Sequence, residues 1–397
     1  MRLKKQSRNP DKFDIVIIGG GPIGIAFACG LADTNLKIAI VDKLPKESIA
    51  NPKVDGREIA LTQQSLKILE KLKVWNLIPK RFVSAIKEAR VLDGNSNYSL
   101  NFAHQEIKKE CLGYIIPNYI IKKSLFKKFR TLKNVTLIDK AECLSINVNK
   151  KHATLKISNG KKIKTLLVVA ADSRFSKMRS KMGISTFTRN FNKNMIVCRM
   201  KHEKTHKNIA YEFFRYNQTQ ASLPYINNQS GIVTTATKDL TSSLMKMTKK
   251  EFNKEIENNF SGSFGKMKLV GKRYSYPMIT TYSKKFTANR FAVIGDAAVG
   301  MHPVTAHGFN LGLKGLDILG TEIKVALKNK NDFGLISVLK NYQFKLHRAA
   351  APVYLATNGI INLYTSNILP AKLTRQFILR FVNIVKPVKQ TFLNILK

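Results

Sequence analysis

The chain has 397 residues, enough for a large hydrophobic core and about two domains. Its hydrophobic fraction of 44% is that of a globular protein and excludes wholesale disorder. Lysine and arginine number 68 against 25 aspartate and glutamate, which gives a formal net charge of +43. This charge indicates nucleic-acid binding, an anionic membrane surface or a compositional drift toward lysine. The excess is spread along the whole chain, so we assign much of it to drift and keep the membrane interpretation for the C-terminal tail.

The four cysteines are scattered, with no CxxC pair and no histidine cluster beside them. This spacing argues against a disulfide framework and against a zinc site, and it predicts a reducing compartment. Residues 13–32 are apolar, but they contain five glycines and a proline. Glycines clustered between two short apolar runs predict a turn rather than a membrane helix. We therefore expect a soluble or peripheral cytoplasmic protein.

The first predicted elements form a strand–turn–helix–strand unit. A continuous β-branched run at residues 14–18 predicts a strand buried on both faces of a parallel sheet. The sequence GGGPIG follows it, then a small-residue helix at 25–32 and a second strand at 37–41. This order is typical of dinucleotide-binding units.

Four residues of this unit have predicted roles. Gly19 allows the tight turn, Gly21 lets the backbone approach a pyrophosphate, and Gly24 lets the helix pack on the strand. Asp42 follows the second strand, where a carboxylate can hold ribose hydroxyls. The segment therefore predicts binding of an adenine dinucleotide.

Two further candidates lie in the next stretch. Arg57 precedes a predicted helix at 59–72, where it either reaches the pyrophosphate or is an ordinary solvated arginine. Residues 86–102 alternate in polarity, which predicts a hairpin. Asn118 begins another predicted helix, at 119–129, as its cap.

A third buried strand is predicted at 166–171 and ends at Asp172. Parallel sheets bind ligands at this edge, so Asp172 either contacts a cofactor or caps the basic helix that starts at residue 176. Residues 187–282 alternate in short segments that predict an antiparallel sheet with one helix at 249–259. Such a sheet would cover the reactive end of the cofactor and enclose the substrate.

Residues 290–312 bring the chain back to the first sheet. A strand is predicted at 291–294, with Asp296 directly after it and a helix opening at 308–310. A helix N-terminus offers unpaired N–H groups and partial positive charge to an anion or an electron-rich ring edge. We expect these segments to converge on one ligand edge and to hold one dinucleotide.

Together these motifs resemble those of the class A flavoprotein monooxygenases, the aromatic hydroxylase group typified by p-hydroxybenzoate hydroxylase. GGGPIG resembles their N-terminal FAD fingerprint, ADSRFSKMR their Asp-Gly motif and GDAAVGMHPVTAHGFNLG their Gly-Asp motif. DGREIALTQQSLKILEKLKVW and LGYIIPNYIIKKSLF are most similar to the ubiquinone-biosynthesis ring hydroxylases. Three places depart from the usual motifs of the group. Ser173 stands where the group usually has glycine, Val299 replaces the usual histidine, and Thr305-Ala306-His307 replaces the commoner Ala-Gly-Gln. These variants look most like the 5-demethoxyubiquinol hydroxylase type.

The resemblance implies an α/β fold with an α+β insert. A Rossmann-like FAD-binding domain of the p-hydroxybenzoate hydroxylase type would comprise residues 13–85, 111–186 and 285–350. An interleaved antiparallel-sheet substrate domain would comprise residues 86–110 and 187–284, and residues 351–397 would form a basic helical tail.

The resemblance also implies the cofactor contacts. Asp296 would hold the ribityl chain, Pro303 would pack beside the isoalloxazine, and the backbone of residues 308–310 would face its pyrimidine edge. The full predicted set of FAD-contacting residues is Gly19, Gly21, Pro22, Gly24, Asp42, Arg57, Asn118, Asp172, Asp296, Pro303, Gly308, Phe309 and Asn310.

The implied activity is FAD-dependent hydroxylation of a polyprenylated phenol or quinol in ubiquinone biosynthesis, through a flavin C4a-hydroperoxide. O₂ would be the co-substrate and NAD(P)H a transient reductant. An ionised ring hydroxyl speeds such an attack, so a proton acceptor is expected in the pocket, and His302, His307 and Tyr211 are the candidates.

Two other functions compete with this interpretation. The first is a reductase, a halogenase or another aromatic hydroxylase of the same fold, of which the halogenase is disfavoured because Trp75 is the sole tryptophan. The second is a basic nucleic-acid-binding protein. It is disfavoured because the sequence has no helix-turn-helix, finger or RNA motif.

After Asp332 the sequence contains no acidic residue. Within this region, apolar residues recur every three to four positions beside cations, at Leu373, Phe377, Phe381, Ile384 and Val388. Such a helix either docks on an anionic bilayer, where a polyprenylated substrate resides, or packs on its own domain. Docking predicts a peripheral protein at the inner face of the cytoplasmic membrane, with other quinone-biosynthesis proteins as candidate partners.

Overall fold

The computed structural model describes residues 11–94, 98–215, 218–302, 307–365, 380–385 and 389–390. In chain order the strands are β1 (Asp11–Ile18), β2 (Ile38–Val41), β3 (Glu58–Thr62), β4 (Ser84–Ile86), β5 (Glu88–Asp93), β6 (Ser99–Ala103), β7 (Gly113–Pro117), β8 (Val135–Ile138), β9 (Cys143–Val148), β10 (Ala153–Ile157), β11 (Lys162–Ala170), β12 (Thr186–His202), β13 (Ile209–Arg215), β14 (Gln218–Tyr225), β15 (Gln229–Thr237), β16 (Met267–Ser283), β17 (Thr287–Ala288), β18 (Phe291–Val293) and β19 (Val299–Gly300). The helices are α1 (Pro22–Gly30), α2 (Lys46–Ala50), α3 (Gln63–Lys71), α4 (Asn118–Phe129), α5 (Lys177–Lys181), α6 (Lys238–Lys246), α7 (Lys249–Asn259), α8 (His307–Lys328) and α9 (Ile336–Thr365).

The first sheet has the order β17-β18-β11-β1-β2-β8, with β10 and β9 attached beside β11. Strands β18, β11, β1, β2 and β8 pair in parallel. The apolar runs of β1, β2, β11 and β18 are buried in one cluster with residues of α1, α4 and α8, whereas β8 at the end of the sheet is only partly buried. The carboxyl ends of β2, β1, β11 and β18 therefore lie along one edge, which confirms the predicted α/β architecture.

The second sheet is larger, with the order β19-β16-β12-β15-β14-β13-β5-β6. All its pairs are antiparallel except β13 with β5. One face packs on α6 and α7 through a cluster that includes Ile196, Phe213 and Phe252. The single helix predicted for this region is wrong in number, because α6 precedes α7 with only two residues between them. A third, small sheet has the order β3-β7-β4.

Two local predictions are corrected by the structure. Residues 59–62 are not helical, because β3 pairs with β7 and the helix begins only at Gln63. Thr62 caps that helix by accepting a hydrogen bond from Ser65 N. Asn118 is the first residue of α4 but makes no cap, since its side chain is bonded to Asp55. In both places a partner distant in sequence overrides the local preference.

The C-terminal residues that the structure describes contact the hairpin of β5 and β6. Val382 is buried in an apolar cluster with Leu100 and Phe102. Lys389 forms an ion pair of 2.8 Å with Glu106, and Asn383 donates to the Tyr98 hydroxyl at 3.0 Å. Among the described helices, none combines the length and the apolar character needed to cross a membrane.

Candidate active site

The turn after β1 is shaped by glycines. Gly19 has φ +110°, and a Cβ there would lie 2.5 Å from Ala171 O. A Cβ on Gly24 would lie 2.0 Å from Gly19 O, so α1 can approach β1 only without a side chain at this position. At Gly21 a Cβ would meet nothing within 4 Å, although the residue borders a cavity. Gly19 and Gly24 are thus required by packing, whereas Gly21 leaves space for a ligand.

Asp42 stabilises the same turn. Its Oδ2 accepts a hydrogen bond of 2.6 Å from Gly20 N, and its Oδ1 accepts one of 2.7 Å from Leu44 N. The carboxylate therefore joins the end of β2 to the glycine turn after β1. It is half-buried at the sheet edge, the position expected of a ribose-binding carboxylate.

Arg57 and Asn118 meet at Asp55, whose role the sequence did not reveal. Asp55 Oδ2 accepts hydrogen bonds of 2.6 Å from Arg57 Nη2 and 2.7 Å from Asn118 Nδ2. Tyr276 OH donates to Asp55 O at 2.7 Å, which ties this cluster to the second sheet. Burial opposes ionisation of Asp55, but Arg57, with Asn118 and Lys122, outweighs it and leaves the pKa of Asp55 below its usual value.

The ends of β11 and β18 are joined by an ion pair. Arg174 Nη2 lies 3.1 Å from Asp296 Oδ2, and Arg174 Nη1 donates to Ile279 O at 2.6 Å. The buried Arg179 donates to Ala297 O at 2.7 Å and to Arg174 O at 3.0 Å. These contacts hold the second and third predicted motifs against each other and place Asp296 at the cavity wall.

Of the two alternatives for Asp172, the structure shows the capping contact. Its Oδ2 accepts a hydrogen bond of 3.2 Å from Met178 N at the start of α5, which is the capping contact. Its Oδ1 is buried and has no hydrogen-bond partner among the described residues. Asp172 itself is not part of the described cavity lining, whereas its neighbours Ser173 and Arg174 are.

The start of α8 lies beside Asp296. A Cβ on Gly308 would lie 4.0 Å from Asp296 Oδ1, and Gly308 and Phe309 border the cavity. Asn310 instead holds α8 against β3, since its Oδ1 accepts from Thr62 N at 3.1 Å and its Nδ2 donates to Ala60 O at 2.8 Å. Pro303 lies outside the described residues.

One cavity of about 370 Å³ joins these groups to the face of the second sheet. On the sheet-edge side its lining is Gly21, Pro22, Ile23, Arg57, Asn118, Lys122, Ala171, Ser173, Arg174, Ile294, Gly295, Asp296, Gly308 and Phe309. On the other side its lining is Glu58, Ile59, Met195, Val197, Glu212, Thr219, Ala221, Leu223, Val233, Met301 and His302. A polar, glycine-rich end thus opens into a largely apolar end.

The structure shows the surroundings of the three candidate proton acceptors, His302, His307 and Tyr211. Burial, with nearby Lys193, Arg174 and Arg189, lowers the pKa of His302 to about 3. Burial lowers the pKa of His307 to about 4. Tyr211 lies on the face of β13 that packs against Phe213 and Phe264, away from the cavity. Both imidazoles are therefore neutral, weak bases at pH 7.

Two glutamates that line the cavity are absent from the set of site residues predicted from the sequence. Glu58 pairs with Arg199 at 2.5 Å, its side chain is 4% exposed, and its Oε2 has no partner among the described residues. Glu212 borders the apolar end from β13. The signal was available in the alternation of β13, which places Glu212 opposite to Tyr211 and Phe213.

The residues at the sheet-edge side of the cavity suit a dinucleotide with an aromatic ring system. The open space at Gly21, the carboxylate of Asp296 and the helix start at Gly308 are the features such a ligand would need. A family model described as FAD binding domain matches residues 12–353. The ubiquinone hydroxylase UbiM of Neisseria meningitidis serogroup C is 38% identical over 381 residues, covering 95% of this chain and 83% of the relative.

The chain belongs to this family of FAD-dependent ubiquinone hydroxylases. A second relative of this hydroxylase, the ubiquinone hydroxylase UbiL of Rhodospirillum rubrum, is 29% identical and covers 96% of this chain and 88% of its own. The p-nitrophenol 4-monooxygenase PnpA of Pseudomonas putida shares the fold, with a TM-score of 0.78, 13% identity and coverage of 96% and 97% of the two chains. The predicted cofactor FAD and the monooxygenase activity are thus confirmed.

Proposed function

We propose that this hydroxylase inserts oxygen into the aromatic ring of a polyprenylated phenol or quinol of ubiquinone biosynthesis, at the demethoxyubiquinol step. The observation that carries the proposal is the continuity of the cavity from the glycine turn to the apolar face of β12–β15. A quinol ring with an isoprenoid substituent has the same division into a polar head and an apolar body. The proposed position of hydroxylation on the ring rests on the third motif, whose residues resemble those of the demethoxyubiquinol hydroxylase type.

The predicted FAD contacts fall into two groups. Gly21, Pro22, Arg57, Asn118, Asp296, Gly308 and Phe309 border the cavity and would touch the cofactor directly. Gly19, Gly24, Asp42, Asp172 and Asn310 shape the surrounding turns through the contacts described above. The role proposed for Pro303 concerns a residue outside the described part of the chain.

The chain's contribution to the reaction is binding, orientation and exclusion of water. Bound FAD would supply the activation of O₂, with NAD(P)H as the transient reductant. The N-terminus of α8 would stabilise negative charge at the pyrimidine edge of the ring. Met195, Val197 and Val233 would keep the reacting face dry, so that oxygen is transferred to the substrate rather than lost to solvent.

The decisive experiment is a turnover assay of the purified FAD-loaded protein with a demethoxyubiquinol carrying two prenyl units, with NADH or NADPH, followed by mass spectrometry of the product. A mass increase of one oxygen supports the proposal. Hydroxylation of p-nitrophenol but not of this quinol would favour the alternative, a same-fold hydroxylase of another aromatic.

We also propose that the protein lies at the inner face of the cytoplasmic membrane, close to other quinone-pathway proteins. Phe381 is 43% and Ile384 is 75% exposed, although Val382 between them packs on the domain. This alternation supports a combination of the two earlier interpretations, in which one helix face packs on the protein and the other is available to a bilayer. Leu373, Phe377 and Val388 of the predicted stripe lie outside the described residues.

Co-sedimentation with vesicles containing one third phosphatidylglycerol tests the membrane proposal. Phe381→Ser with Ile384→Ser is expected to reduce the bound fraction at least threefold. Leu144→Ser, a change at a 46% exposed leucine on β9, is the matched control. Equal binding of all three proteins would contradict the proposal.

A further inference from the structure

Glu212 occupies an unusual place in the second sheet. It pairs in register with Ala221 on β14, Ala221 pairs with Val233 on β15, and Val233 pairs with Val197 on β12. Paired residues of adjacent strands share a face, and all four border the cavity. On its other side Glu212 pairs with Val91 of β5. A carboxyl group thus interrupts a row of aliphatic side chains that faces the substrate end.

Few polar groups surround the carboxyl group of Glu212. Thr219, on β14, is its hydrogen-bonding neighbour, and no ion pair joins it to any described cation. On β5 the same face carries Asp93, and α9, which also approaches β13, has no charged residue between Arg348 and Thr365. The charged or titratable groups around the rest of the cavity are Arg57, Glu58, Lys122, Arg174, Asp296 and His302.

This isolation changes the chemistry of the group. Burial, against a smaller opposing effect of the Thr219 hydroxyl, raises the pKa of Glu212 to about 8. An ordinary glutamate is too weak a base to take a proton from a phenol, whereas a carboxylate with a raised pKa is better matched to it. Burying a carboxyl group here is also unfavourable for folding, so the position is difficult to explain by stability alone.

Glu58, the other cavity glutamate, has a structural explanation. Its carboxylate is paired with Arg199, whose guanidinium lies 4.2 Å from the centre of the Tyr225 ring. Its Cγ lies where a Cβ on residue 231 would be only 2.6 Å away, so the side chain rests flat on Gly231. The pair joins β3 to the second sheet, which leaves Glu212 as the cavity carboxyl group without a structural task.

We propose that Glu212 is the catalytic proton acceptor for the ring hydroxyl of the substrate. This inference rests on the proposed function, because it requires a phenolic or quinolic substrate. In the step, the substrate O–H bond breaks, a new O–H bond forms on the Glu212 carboxylate, and no electron pair leaves the substrate. The resulting phenolate is the more electron-rich ring, and the proton returns to the product oxygen after hydroxylation.

The test uses FAD-loaded enzyme that is reduced by light with EDTA as the electron donor. It is then mixed with oxygenated buffer containing the demethoxyubiquinol with two prenyl units, and hydroxylated product is counted per flavin between pH 6 and 9.5. The wild-type rate is expected to rise about 25-fold between pH 6.5 and 8.5 as Glu212, with its pKa of about 8, ionises. At pH 8.5, Glu212→Gln is expected to be at least 50-fold slower than the wild type and to show no rise in rate with pH. Glu212→Asp is expected to keep a rise. Glu88→Gln, which removes a carboxylate of β5 outside the cavity lining, should leave the rate unchanged.

The outcomes separate the two proposals. If the wild-type protein forms no product from this demethoxyubiquinol at any pH, the proposed function fails and the role of Glu212 falls with it. If it forms product and Glu212→Gln keeps the wild-type rate and pH profile, the role of Glu212 alone is overturned. A wild-type rate that is flat across pH 6–9.5 overturns it as well, even if Glu212→Gln does not fold.

Thermal stability gives a readout independent of turnover. The folded protein keeps the Glu212 proton at pH values where the unfolded chain, with a pKa of 4.5, has lost it. Stability should therefore fall as pH rises from about 4.5 to about 8. Glu212→Gln should match the wild type at pH 5 and melt at least 2 °C higher at pH 8.5. Equal melting temperatures at pH 8.5 would show that the carboxyl group is not held in an uncompensated position.

Discussion

Asn118 Nδ2 lies 2.7 Å from Asp55 Oδ2, and Asn118 N donates to Arg57 O at 2.9 Å. These two contacts fix the start of α4 against the segment that carries Arg57, although 63 residues separate Asn118 from Asp55. The arrangement explains how a helix that begins after β7 can position an arginine at the cavity wall. Replacing the Asn118 side chain therefore tests how the cavity is assembled.

Asn118→Ala is expected to weaken FAD binding about tenfold, because Arg57 loses the neighbour that orients its carboxylate partner. Fluorescence titration of the apoprotein with FAD measures this. The control is Ser124→Ala, on the same helix as Asn118, which removes a hydrogen bond of 3.2 Å from Ser124 to Leu77 O. An unchanged dissociation constant in Asn118→Ala would remove this cluster from the binding site.

Gly21→Ala and Gly24→Ala should fail in different ways. At Gly21 the added methyl group meets no protein atom within 4 Å, so the apoprotein should fold with an unchanged circular dichroism spectrum and lose FAD affinity at least tenfold. At Gly24 the methyl group would lie 2.0 Å from Gly19 O, so the variant should be unstable or insoluble. Normal FAD affinity in Gly21→Ala would show that the pyrophosphate does not approach this turn.

Asp296→Ala is expected to lose FAD. The change removes the carboxylate between Arg174 and the start of α8, and it leaves Arg174 at the cavity wall without this partner. The ratio of flavin to protein absorbance after purification measures retention. Asp317→Ala alters a carboxylate of similar exposure on α8 that pairs with Lys71 instead, and it should retain FAD. Wild-type retention in Asp296→Ala would contradict the role proposed for the third motif.

Arg199→Met should destabilise the protein by roughly 2–3 kcal/mol, because it leaves the buried Glu58 carboxylate unpaired. Adding Glu58→Gln should recover part of this loss, and the double-mutant cycle measured by thermal denaturation gives the coupling energy. Purely additive losses would show that the pair contributes no net attraction.

The local pattern of the sequence determined the elements of the first sheet. Continuous β-branched runs at β1, β2 and β11 predict strands buried on both faces, since only helix-covered parallel strands tolerate such runs. The glycines between β1 and α1 predict the turn, because a side chain at Gly19 or Gly24 would collide with backbone. The edge at which the three motifs meet follows from these strands alone.

Only the tertiary structure decided which polar groups share the cavity. Asp55, Arg174 and Glu58 find partners 63, 122 and 141 residues away, distances over which local pattern carries no information. Likewise, Glu212 reads as one polar residue of an alternating strand until the register places it among aliphatic side chains facing the cavity. Strand periods fix which face a side chain takes, but the chemistry of that face depends on what the rest of the chain packs against it.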